Sequence, residues 1–387
     1  MRKIRVLFPY VEAGFGHIMP MRSIEDTFRK KYGDRVEVIS SDFFNETGDR
    51  SLIRYERMMS SQVKMYNRFP VFGHFMTFAD EMSGPAVSSF FTVRFFRKAY
   101  RKGVEHMQEL SADVIFSTHW ATNYYARHLK EKPMTVMYCP DAELNQLFSY
   151  PSDLTMISMP FGYKKALETK RFDTDNLKYV PFLIRNEAFE ISSDKREIRK
   201  KLGLPEDNFT VILAEGGYGI GKIKEICKRL ISEHIPLTVI AVCGKNEKLL
   251  EYFGSLVPTK EVTFVPLGFT ERILEYQAAS DIFCGKSGNI LAEPTFFGNP
   301  TIITNCTSLI EKKIARHYIE TVGCAFIEFS PKKTVETIME FAADPARMLT
   351  YKKAALDYHG NFGSEAAAEL LWKAIAERFP DQITRNG

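Results

Sequence analysis

One segment of the chain combines a strand-like run with residues that could bind an anion. The apolar run Ile282–Cys284 leads into a turn, and a helical pattern begins near Asn289. Such a turn offers backbone N–H groups and a helix N-terminus to a diphosphate. Glu293 lies one turn into that helix, where its carboxylate could accept hydrogen bonds from the two hydroxyls of a ribose. The alternative is an ordinary capped helix whose Glu293 complements the helix dipole.

A glycine-rich turn, Gly216–Gly221, follows the apolar run Thr210–Ala214. Its pattern is typical of a dinucleotide-binding loop. However, the acidic residue expected about 20 positions later is missing, because the next strand-like run ends in Cys243-Gly244-Lys245. This argues against a reduced dinucleotide cofactor. A loop that closely approaches a phosphate or a sugar stays open, since glycine permits that approach of the backbone.

His17 and Asp141 are the candidate catalytic bases. His17 follows the first strand-like run, and an imidazole with a reference pKa of about 6.5 is suited to take a proton from a hydroxyl group. Asp141 follows another such run, Thr135–Tyr138, and the pair Cys139-Pro140. The alternatives are a turn histidine bonded to the backbone and a turn carboxylate after proline. His119 is better explained as a packed residue.

The sequence shows no metal-binding pattern. Asp173-Thr174-Asp175 has the spacing of metal ligands but no third ligand nearby, and Cys and His residues form no zinc set. The 6 cysteines are far apart, and several stand in apolar runs, as reduced core cysteines do. We therefore expect neither a metal nor a cofactor.

Length and composition limit the class of protein. The 387 residues are 45% hydrophobic and 26% charged, which is typical of a folded protein of two domains. The net charge of +4, from 52 basic and 48 acidic residues, argues against a nucleic-acid partner. The N-terminal apolar run is too short for a signal peptide, and no run approaches the roughly 18 apolar residues of a membrane span. We expect a cytoplasmic protein, or one bound to a membrane surface.

Strand-like and helical segments alternate along the chain, and the scheme starts twice, at residues 4 and 210. Alternation of this kind predicts parallel sheets covered by helices on both faces. The sequence therefore predicts an α/β protein of two Rossmann-like doubly wound domains, residues 1–185 and 186–362. The C-terminal helix, within 363–387, is predicted to pack back on the first domain.

Residues 53–102 depart from this scheme. Aromatic, methionine and basic residues alternate there more densely than one helical stripe requires, which suits the interface of an anionic membrane. The alternatives are a pair of buried helices or an oligomer contact. The residues expected to meet an acceptor or a membrane are Phe69, Phe72, Phe75, Phe95, Phe96, Arg94, Arg97 and Lys98.

These motifs resemble one family of enzymes. Gly-Phe-Gly-His after the first strand and Ser-Gly-Asn-Ile-Leu-Ala-Glu at 287–293 are similar to segments of the two-domain GT-B glycosyltransferases. Among these, the chain most resembles monogalactosyldiacylglycerol synthases, processive diacylglycerol glucosyltransferases and the lipid II N-acetylglucosaminyltransferase. Gly-Gly-Tyr-Gly-Ile-Gly, Cys-Gly-Lys-Asn at 243–246 and Leu-Gly-Phe-Thr at 267–270 also occur in family order.

The resemblance implies roles for individual residues around a UDP-sugar in a cleft between the two domains. The backbone of Phe269 would meet the uracil and Glu293 the ribose, while His17 or Asp141 would be the base. The residues that it assigns to the diphosphate and the sugar are Ser287, Gly288 and Asn289, with Gly16, Gly217, Ile290 and Glu311.

The resemblance implies that the protein transfers a hexose from a UDP-sugar to a diacylglycerol-type lipid hydroxyl, with inversion and without a metal. The enzyme would lie on the cytoplasmic face of the cell membrane. Leu309–Ile314 stands where relatives have Gly-Gln-Glu-x-x-Asn, and only Glu311 matches, so the donor sugar stays open. Two alternatives remain: a nucleotide-sugar epimerase, and a non-catalytic GT-B-like binding or scaffold protein.

Overall fold

The computed structural model describes residues 2–11, 15–83, 87, 90, 94, 96–144, 148, 150–215 and 222–383. The chain divides into two compact units. Unit 1 comprises Met1–Tyr66, Val71–Asn186 and Gly363–Gly387, and unit 2 comprises Asn67–Pro70 and Glu187–Phe362. Apart from the short segment 67–70, unit 2 is therefore one continuous stretch inserted into unit 1.

Unit 1 contains a six-stranded parallel sheet in the order β2-β1-β3-β4-β5-β6. Its strands are β1 (Ile4–Tyr10), β2 (Val36–Asp42), β3 (Val114–Ser117), β4 (Met134–Cys139), β5 (Leu154–Ile157) and β6 (Leu177–Tyr179). The helices within residues 15–168 are α1 (Phe15–Tyr32), α2 (Arg50–Arg68), α3 (Pro70–Ser83), α4 (Arg97–Glu109), α5 (Trp120–Ala126) and α6 (Pro160–Glu168).

Unit 2 repeats this architecture with the order β12-β11-β10-β7-β8-β9, again all parallel. Its strands are β7 (Phe209–Ala214), β8 (Leu237–Gly244), β9 (Val262–Gly268), β10 (Ile282–Lys286), β11 (Thr301–Asn305) and β12 (Ala325–Ile327). Its α-helices are α7 (Lys195–Leu202), α8 (Ile223–Leu230), α9 (Glu247–Gly254), α10 (Ile273–Ala279), α11 (Ala292–Phe296), α12 (Leu309–Arg316), α13 (Pro331–Ala343) and α14 (Leu349–Asp357). A π-helix, His317–Val322, continues α12.

The chain then returns to unit 1 as α15 (Glu365–Arg378) and α16 (Pro380–Ile383). Ala367, Leu371 and Ile375 of α15 are buried in the same apolar cluster as Ile24 and Phe28 of α1. Helix α15 therefore completes one face of the first sheet. The opposite face is covered by α2, α4 and α5.

The sequence explains why the central strands are covered on both faces. Strands β3, β4 and β5 are continuous apolar runs, and every residue in them is buried. A parallel sheet with helices on both sides requires such strands, since neither face meets water. The predicted α/β fold with two doubly wound sheets is confirmed.

Asn186 fixes helix α1 at the point where the chain leaves unit 1. Its amide nitrogen donates to the carbonyl oxygen of Ser23 at 3.0 Å and to the Thr27 hydroxyl at 2.9 Å. Its amide oxygen accepts the hydroxyl groups of Ser23, at 3.1 Å, and of Ser364, at 2.8 Å. One side chain thus joins α1 to the segment where the chain returns.

In both sheets, the order in which the chain adds strands reverses near the centre of the sheet. In unit 1 the chain order reverses between β1 and β3, and in unit 2 it reverses between β7 and β10. At such a point the loops after the two strands separate to opposite faces, which leaves a crevice outside the carboxyl ends. Ligands of doubly wound sheets bind in this crevice.

Candidate functional site

His17 and Thr118 lie at the point where the strand order of the first sheet reverses. His17 lies in the first turn of α1, after β1, and Thr118 directly follows β3. His17 Nδ1 lies 2.9 Å from the carbonyl oxygen of Thr118, and the Thr118 hydroxyl donates to the carbonyl oxygen of His17 at 2.8 Å. Because a carbonyl can only accept, Nδ1 carries a proton and the basic lone pair of the neutral ring is on Nε2.

Two aromatic rings fix the plane of the His17 imidazole. Phe148 stacks on it with an interplanar angle of 8° and a centroid distance of 6.2 Å, and His119 meets it edge-on at 5.1 Å. His119 is buried, and its Nδ1 accepts the backbone N–H of Ala121 at the start of α5. Burial, and secondarily the charge of His17, holds the pKa of His119 well below its usual value. His119 is thus a neutral packed residue, as its sequence context predicts.

Asp141 lies beyond the end of β4, the strand next to β3. Burial raises the pKa of its carboxyl group above the ordinary value, and the positive charge of protonated His17 opposes this rise. The two groups are therefore electrostatically coupled. Protonation of His17 favours the ionised form of Asp141.

In unit 2, the predicted donor residues lie at the carboxyl edge of the sheet. Ser287 follows β10, Phe269 follows β9, and the segment 216–221, which contains Gly217, follows β7. Gly217 is outside the described residues. Strands β7 and β10 are neighbours at the reversal point of this sheet. Gly288 and Asn289 belong to the segment that follows the end of β10.

Ser287 is completely buried and both of its donors have protein partners. Its hydroxyl donates to the carbonyl oxygen of Glu311 at 2.7 Å, and its backbone N–H donates to the carbonyl oxygen of Asn305 at 2.9 Å. Ser287 therefore holds the end of β10 against β11 and α12. Gly288, at φ 145°, then adopts a conformation that favours glycine, and it is partly exposed.

Lys286 and Glu311 form an ion pair beneath this turn. Lys286 Nζ lies 2.5 Å from Glu311 Oε1, and both side chains are mostly buried. The other carboxylate oxygen of Glu311 accepts the backbone N–H of Thr307 at 2.5 Å and its hydroxyl at 2.8 Å. Both oxygens of Glu311, which the resemblance assigns to the donor sugar, thus have protein partners.

Glu215 is a second carboxylate at the same edge, directly after β7. Its side chain is buried, and Oε1 accepts the Thr304 hydroxyl at 2.9 Å. Oε2 has no hydrogen-bond partner among the residues that the structure describes. Burial raises the pKa of Glu215, while Thr304, the backbone N–H groups of Lys222 and Ile223, and the charge of Lys286 oppose this rise.

The other predicted donor residues are closer to solvent. Phe269 is exposed, and Gly16, Asn289, Ile290 and Glu293 are each partly exposed. Gly16 belongs to unit 1 and the remaining four to unit 2. Ile314, which the family resemblance aligns with a polar residue, is buried in the protein interior.

The aromatic segment contains one strongly exposed apolar stripe. Val71, Phe75, Phe78 and Met82 of α3 are 85%, 64%, 55% and 72% exposed. Their spacing of i, i+4, i+7 and i+11 places them on one face of the helix. Among the residues that the structure describes, nothing covers these four large apolar side chains.

The other predicted acceptor or membrane residues divide into three groups. Phe69, Phe72, Arg94, Arg97 and Lys98 are exposed. Phe96 is partly exposed, and its ring packs against Tyr55 with a centroid distance of 4.7 Å. Phe95 is outside the described residues.

No group of three or more His, Cys, Asp or Glu side chains in the described ranges could hold a metal ion. No helix in the same ranges is both long enough and apolar enough to cross a bilayer.

Sequence reasoning missed three site residues. Thr118 carries no motif, and only the parallel pairing of β1 with β3 brings it to His17, 101 positions away. Lys286 stands within the predicted anion-binding turn, but its partner Glu311 is 25 positions later. Glu215 precedes the glycine-rich turn, and the buried run before it could have drawn attention to an acidic residue there.

Comparison with known proteins places these features in context. No protein-family model matches the chain. Monogalactosyldiacylglycerol synthase 2 of Arabidopsis thaliana is 24% identical over 388 residues, which covers 92% of this chain and 80% of the relative. Monogalactosyldiacylglycerol synthase 1 of the same plant is 22% identical and is matched over 90% of this chain and 66% of its own length.

Solved structures match nearly the whole length of the chain. MurG of Acinetobacter baumannii superposes with a TM-score of 0.60 at 12% identity, covering 96% of this chain and 99% of its own. MnaA of S. aureus, solved with UDP, superposes with a TM-score of 0.60 at 14% identity, covering 98% of this chain and 97% of its own. The UDP-GlcNAc 2-epimerase of Neisseria meningitidis, bound to UDP-GlcNAc, superposes with a TM-score of 0.56 at 12% identity, covering 97% of this chain and 100% of its own. The chain thus has the GT-B fold, and its sequence is similar to monogalactosyldiacylglycerol synthases over nine-tenths of its length.

Proposed function

We propose that this protein is a glycosyltransferase that moves a hexose from a UDP-sugar to the hydroxyl group of a diacylglycerol-type lipid. The observation that carries the proposal is the sequence similarity to monogalactosyldiacylglycerol synthases, which extends through both units. The name of these relatives states a galactose and a diacylglycerol. The donor hexose of this chain is therefore a galactose or a related hexose.

The positions of the candidate residues support separate roles for the two units, with the acceptor at unit 1 and the donor at unit 2. His17, Thr118 and Asp141 lie at the carboxyl edge of the first sheet, and Lys286, Gly288 and Asn289 lie at that of the second. In this proposal unit 1 activates the acceptor hydroxyl. Unit 2 holds the donor, with the diphosphate near Gly288 and Asn289 and the ribose at Glu293.

The reaction is a single displacement at the anomeric carbon. His17 Nε2 takes the proton of the acceptor hydroxyl as its oxygen forms a bond to that carbon, and the bond to the diphosphate oxygen breaks with its electron pair leaving on UDP. Attack opposite to the leaving group inverts the anomeric centre. Thr118 keeps Nε2 as the basic atom, and ionised Asp141 stabilises the imidazolium that forms.

The apolar stripe of α3 supports action at a membrane surface. Pro70–Ser83 contains no Lys or Arg, so insertion of Val71, Phe75, Phe78 and Met82 among lipid chains would be driven by the hydrophobic effect. The exposed Arg94, Arg97 and Lys98 would add contacts to anionic headgroups, each contributing about 1 kcal/mol. The protein would thus bind peripherally to a cytoplasmic membrane face.

The decisive experiment supplies the purified protein with vesicles that contain diacylglycerol and phosphatidylglycerol, together with UDP-galactose or UDP-glucose. Mass spectrometry of the extracted lipids is expected to show a product heavier by one hexose. Absence of a glycolipid with every UDP-hexose and lipid hydroxyl tested would overturn the proposal. Conversion of the UDP-sugar to an isomer would support an epimerase instead, and binding of UDP without any product would support a non-catalytic protein.

A further inference from the structure

We propose that Glu215 accepts a proton when the UDP-sugar binds to unit 2, so that donor affinity depends on pH through this one buried carboxylate. The inference rests on the proposed function, since it requires a nucleoside diphosphate-sugar at the crevice between the ends of β7 and β10. It adds a property of that site which the transfer reaction does not itself demand.

The charges of the ionisable side chains at this edge of the sheet do not balance. Glu215 follows β7, Lys286 ends β10, and Glu311 pairs with Lys286 at 2.5 Å. Two carboxylates and one ammonium group give a net charge of −1 when all three are ionised. Glu311 has its two oxygens committed to Lys286 and Thr307, so the uncompensated charge belongs to Glu215.

Among the described residues, the positive charge that opposes the rise in the pKa of Glu215 is that of Lys286. The titratable groups that act on Glu215 from the described elements around it are Lys286 and Cys284 of β10 and Cys227 of α8. Burial raises the pKa of both thiols, so they are neutral. The remaining polar neighbours are the Thr304 hydroxyl of β11 and the backbone N–H groups of Lys222 and Ile223.

A bound UDP-sugar would add negative charge near Glu215. A UDP-sugar brings two negative charges to the same carboxyl edge, where burial weakens solvent screening. A neighbouring like charge favours the neutral form of a carboxyl group, so the bound diphosphate raises the pKa of Glu215 above its value in the free protein. Uptake of one proton reduces the charge of the cluster to zero.

Geometry identifies the atom that receives the proton. Oε1 accepts the Thr304 hydroxyl at 2.9 Å, whereas Oε2 is buried and has no hydrogen-bond partner among the described residues. A proton on Oε2 makes the carboxyl group neutral and turns that oxygen into a hydrogen-bond donor. It therefore removes a buried charge and leaves the bond to Thr304 unchanged.

The test is calorimetric titration of the full-length protein with UDP-glucose or UDP-galactose between pH 5 and 8, at constant ionic strength. UDP itself is unsuitable because its terminal phosphate titrates near pH 6, as phosphate monoesters do. Between the pKa values of Glu215 in the free and bound protein, Kd is expected to rise about tenfold per pH unit. Buffers of different ionisation enthalpy should report uptake of up to one proton in the same range.

Three variants identify the group. Glu215→Gln should abolish both the pH dependence of Kd and the proton uptake. Glu336→Gln, on the exposed face of α13, should keep both. Thr304→Val retains Glu215 but removes a hydrogen bond to its ionised form, so the range of pH dependence should move to higher pH. Thr304→Val also serves if Glu215→Gln does not fold.

The outcomes separate this inference from the proposed function. Binding of UDP-hexose with a pH-independent Kd and no proton uptake would overturn the role of Glu215 and leave the donor site in place. The role of Glu215 would also be overturned if Kd still depended on pH in Glu215→Gln, or if Thr304→Val left the pH range of that dependence unchanged. Absence of UDP-hexose binding at every pH would refute the donor site itself, and the inference with it.

Discussion

The Nδ1 atom of His17 lies 2.9 Å from the carbonyl oxygen of Thr118, and the Thr118 hydroxyl returns a hydrogen bond to the His17 carbonyl at 2.8 Å. This reciprocal pair joins the start of α1 to the end of β3, which are the two elements at the reversal point of the first sheet. It fixes the tautomer of the imidazole with the basic lone pair on Nε2.

Replacement of His17 by Gln should reduce turnover by about 10²–10⁴-fold, because the acceptor hydroxyl loses its general base. The affinity for UDP-hexose should be unchanged, since the residues proposed to hold the diphosphate and the ribose, Gly288, Asn289 and Glu293, belong to unit 2. His128→Gln is the matched control: His128 Nδ1 also lies near a backbone carbonyl, that of Tyr124 at 2.8 Å, but on the exposed surface. Glycolipid formation and calorimetry provide the two measurements, and near-normal turnover in His17→Gln would exclude His17 as the base.

Replacement of Glu293 by Ala should weaken binding of UDP by about 1–3 kcal/mol, the cost of removing charged hydrogen bonds to the ribose. Calorimetric Kd values at one pH are the measurement. Glu336→Ala removes a carboxylate from an exposed helix of the same unit and should leave Kd unchanged. Equal affinities of Glu293→Ala and the unmodified protein would refute the assignment of Glu293 to the ribose.

Replacement of Val71 by Glu should lower the fraction of protein that sediments with anionic vesicles, because a charge would enter the apolar stripe of α3. Val257 provides a close control, since it is also a valine and is 89% exposed against 85% for Val71. Val257→Glu should sediment like the unmodified protein. If both variants sediment normally, α3 does not contact the vesicle.

The elements that carry these residues could be predicted from the sequence for a simple reason. Parallel strands buried on both faces are short continuous apolar runs, so β3, β4 and β10 are recognisable from composition alone. Once the strands are known, residues that follow them must lie at one edge of a sheet. The candidate positions of His17, Asp141, Ser287 and Asn289 depended on nothing more.

Replacement of Glu311 by Ala should destabilise the protein by about 3–5 kcal/mol, because Lys286 would remain buried without its charged partner. The double variant Lys286→Met/Glu311→Leu should recover most of this loss, since it also removes the unpaired charge. Unfolding in urea, monitored by circular dichroism, measures both. A Glu311→Ala variant as stable as the unmodified protein would show that the ion pair is not part of the folded core.

The pKa of Glu215 is raised in the folded protein, so its contribution to stability is complete below the pKa of an unfolded glutamate, about 4.3, and is lost as the pH rises through the folded value. The unfolding free energy of the unmodified protein should therefore fall over this range relative to that of Glu215→Gln. Parallel urea titrations at several pH values measure the difference. A constant difference across the range would mean that Glu215 titrates normally.

Other features depend on contacts that no local pattern encodes. Glu311 pairs with Lys286 and Thr307, and Ser287 bonds to Glu311, only because β10 and β11 are adjacent. The three-residue strand β6 is too short to give a periodic signal. Phe96 belongs to an aromatic-rich segment, but whether a given ring faces Tyr55 or solvent is decided by tertiary packing.

The return of the chain to unit 1 has a consequence for synthesis on the ribosome. Nearly all of unit 2 lies between residues 187 and 362, so it can fold as soon as that stretch has emerged. Unit 1 cannot do so, because α15 and Ser364, which contacts Asn186, follow unit 2 in the chain. Unit 1 begins to be translated before unit 2 but is completed after it, and until then the face of its sheet that α15 covers is a place where a chaperone would bind.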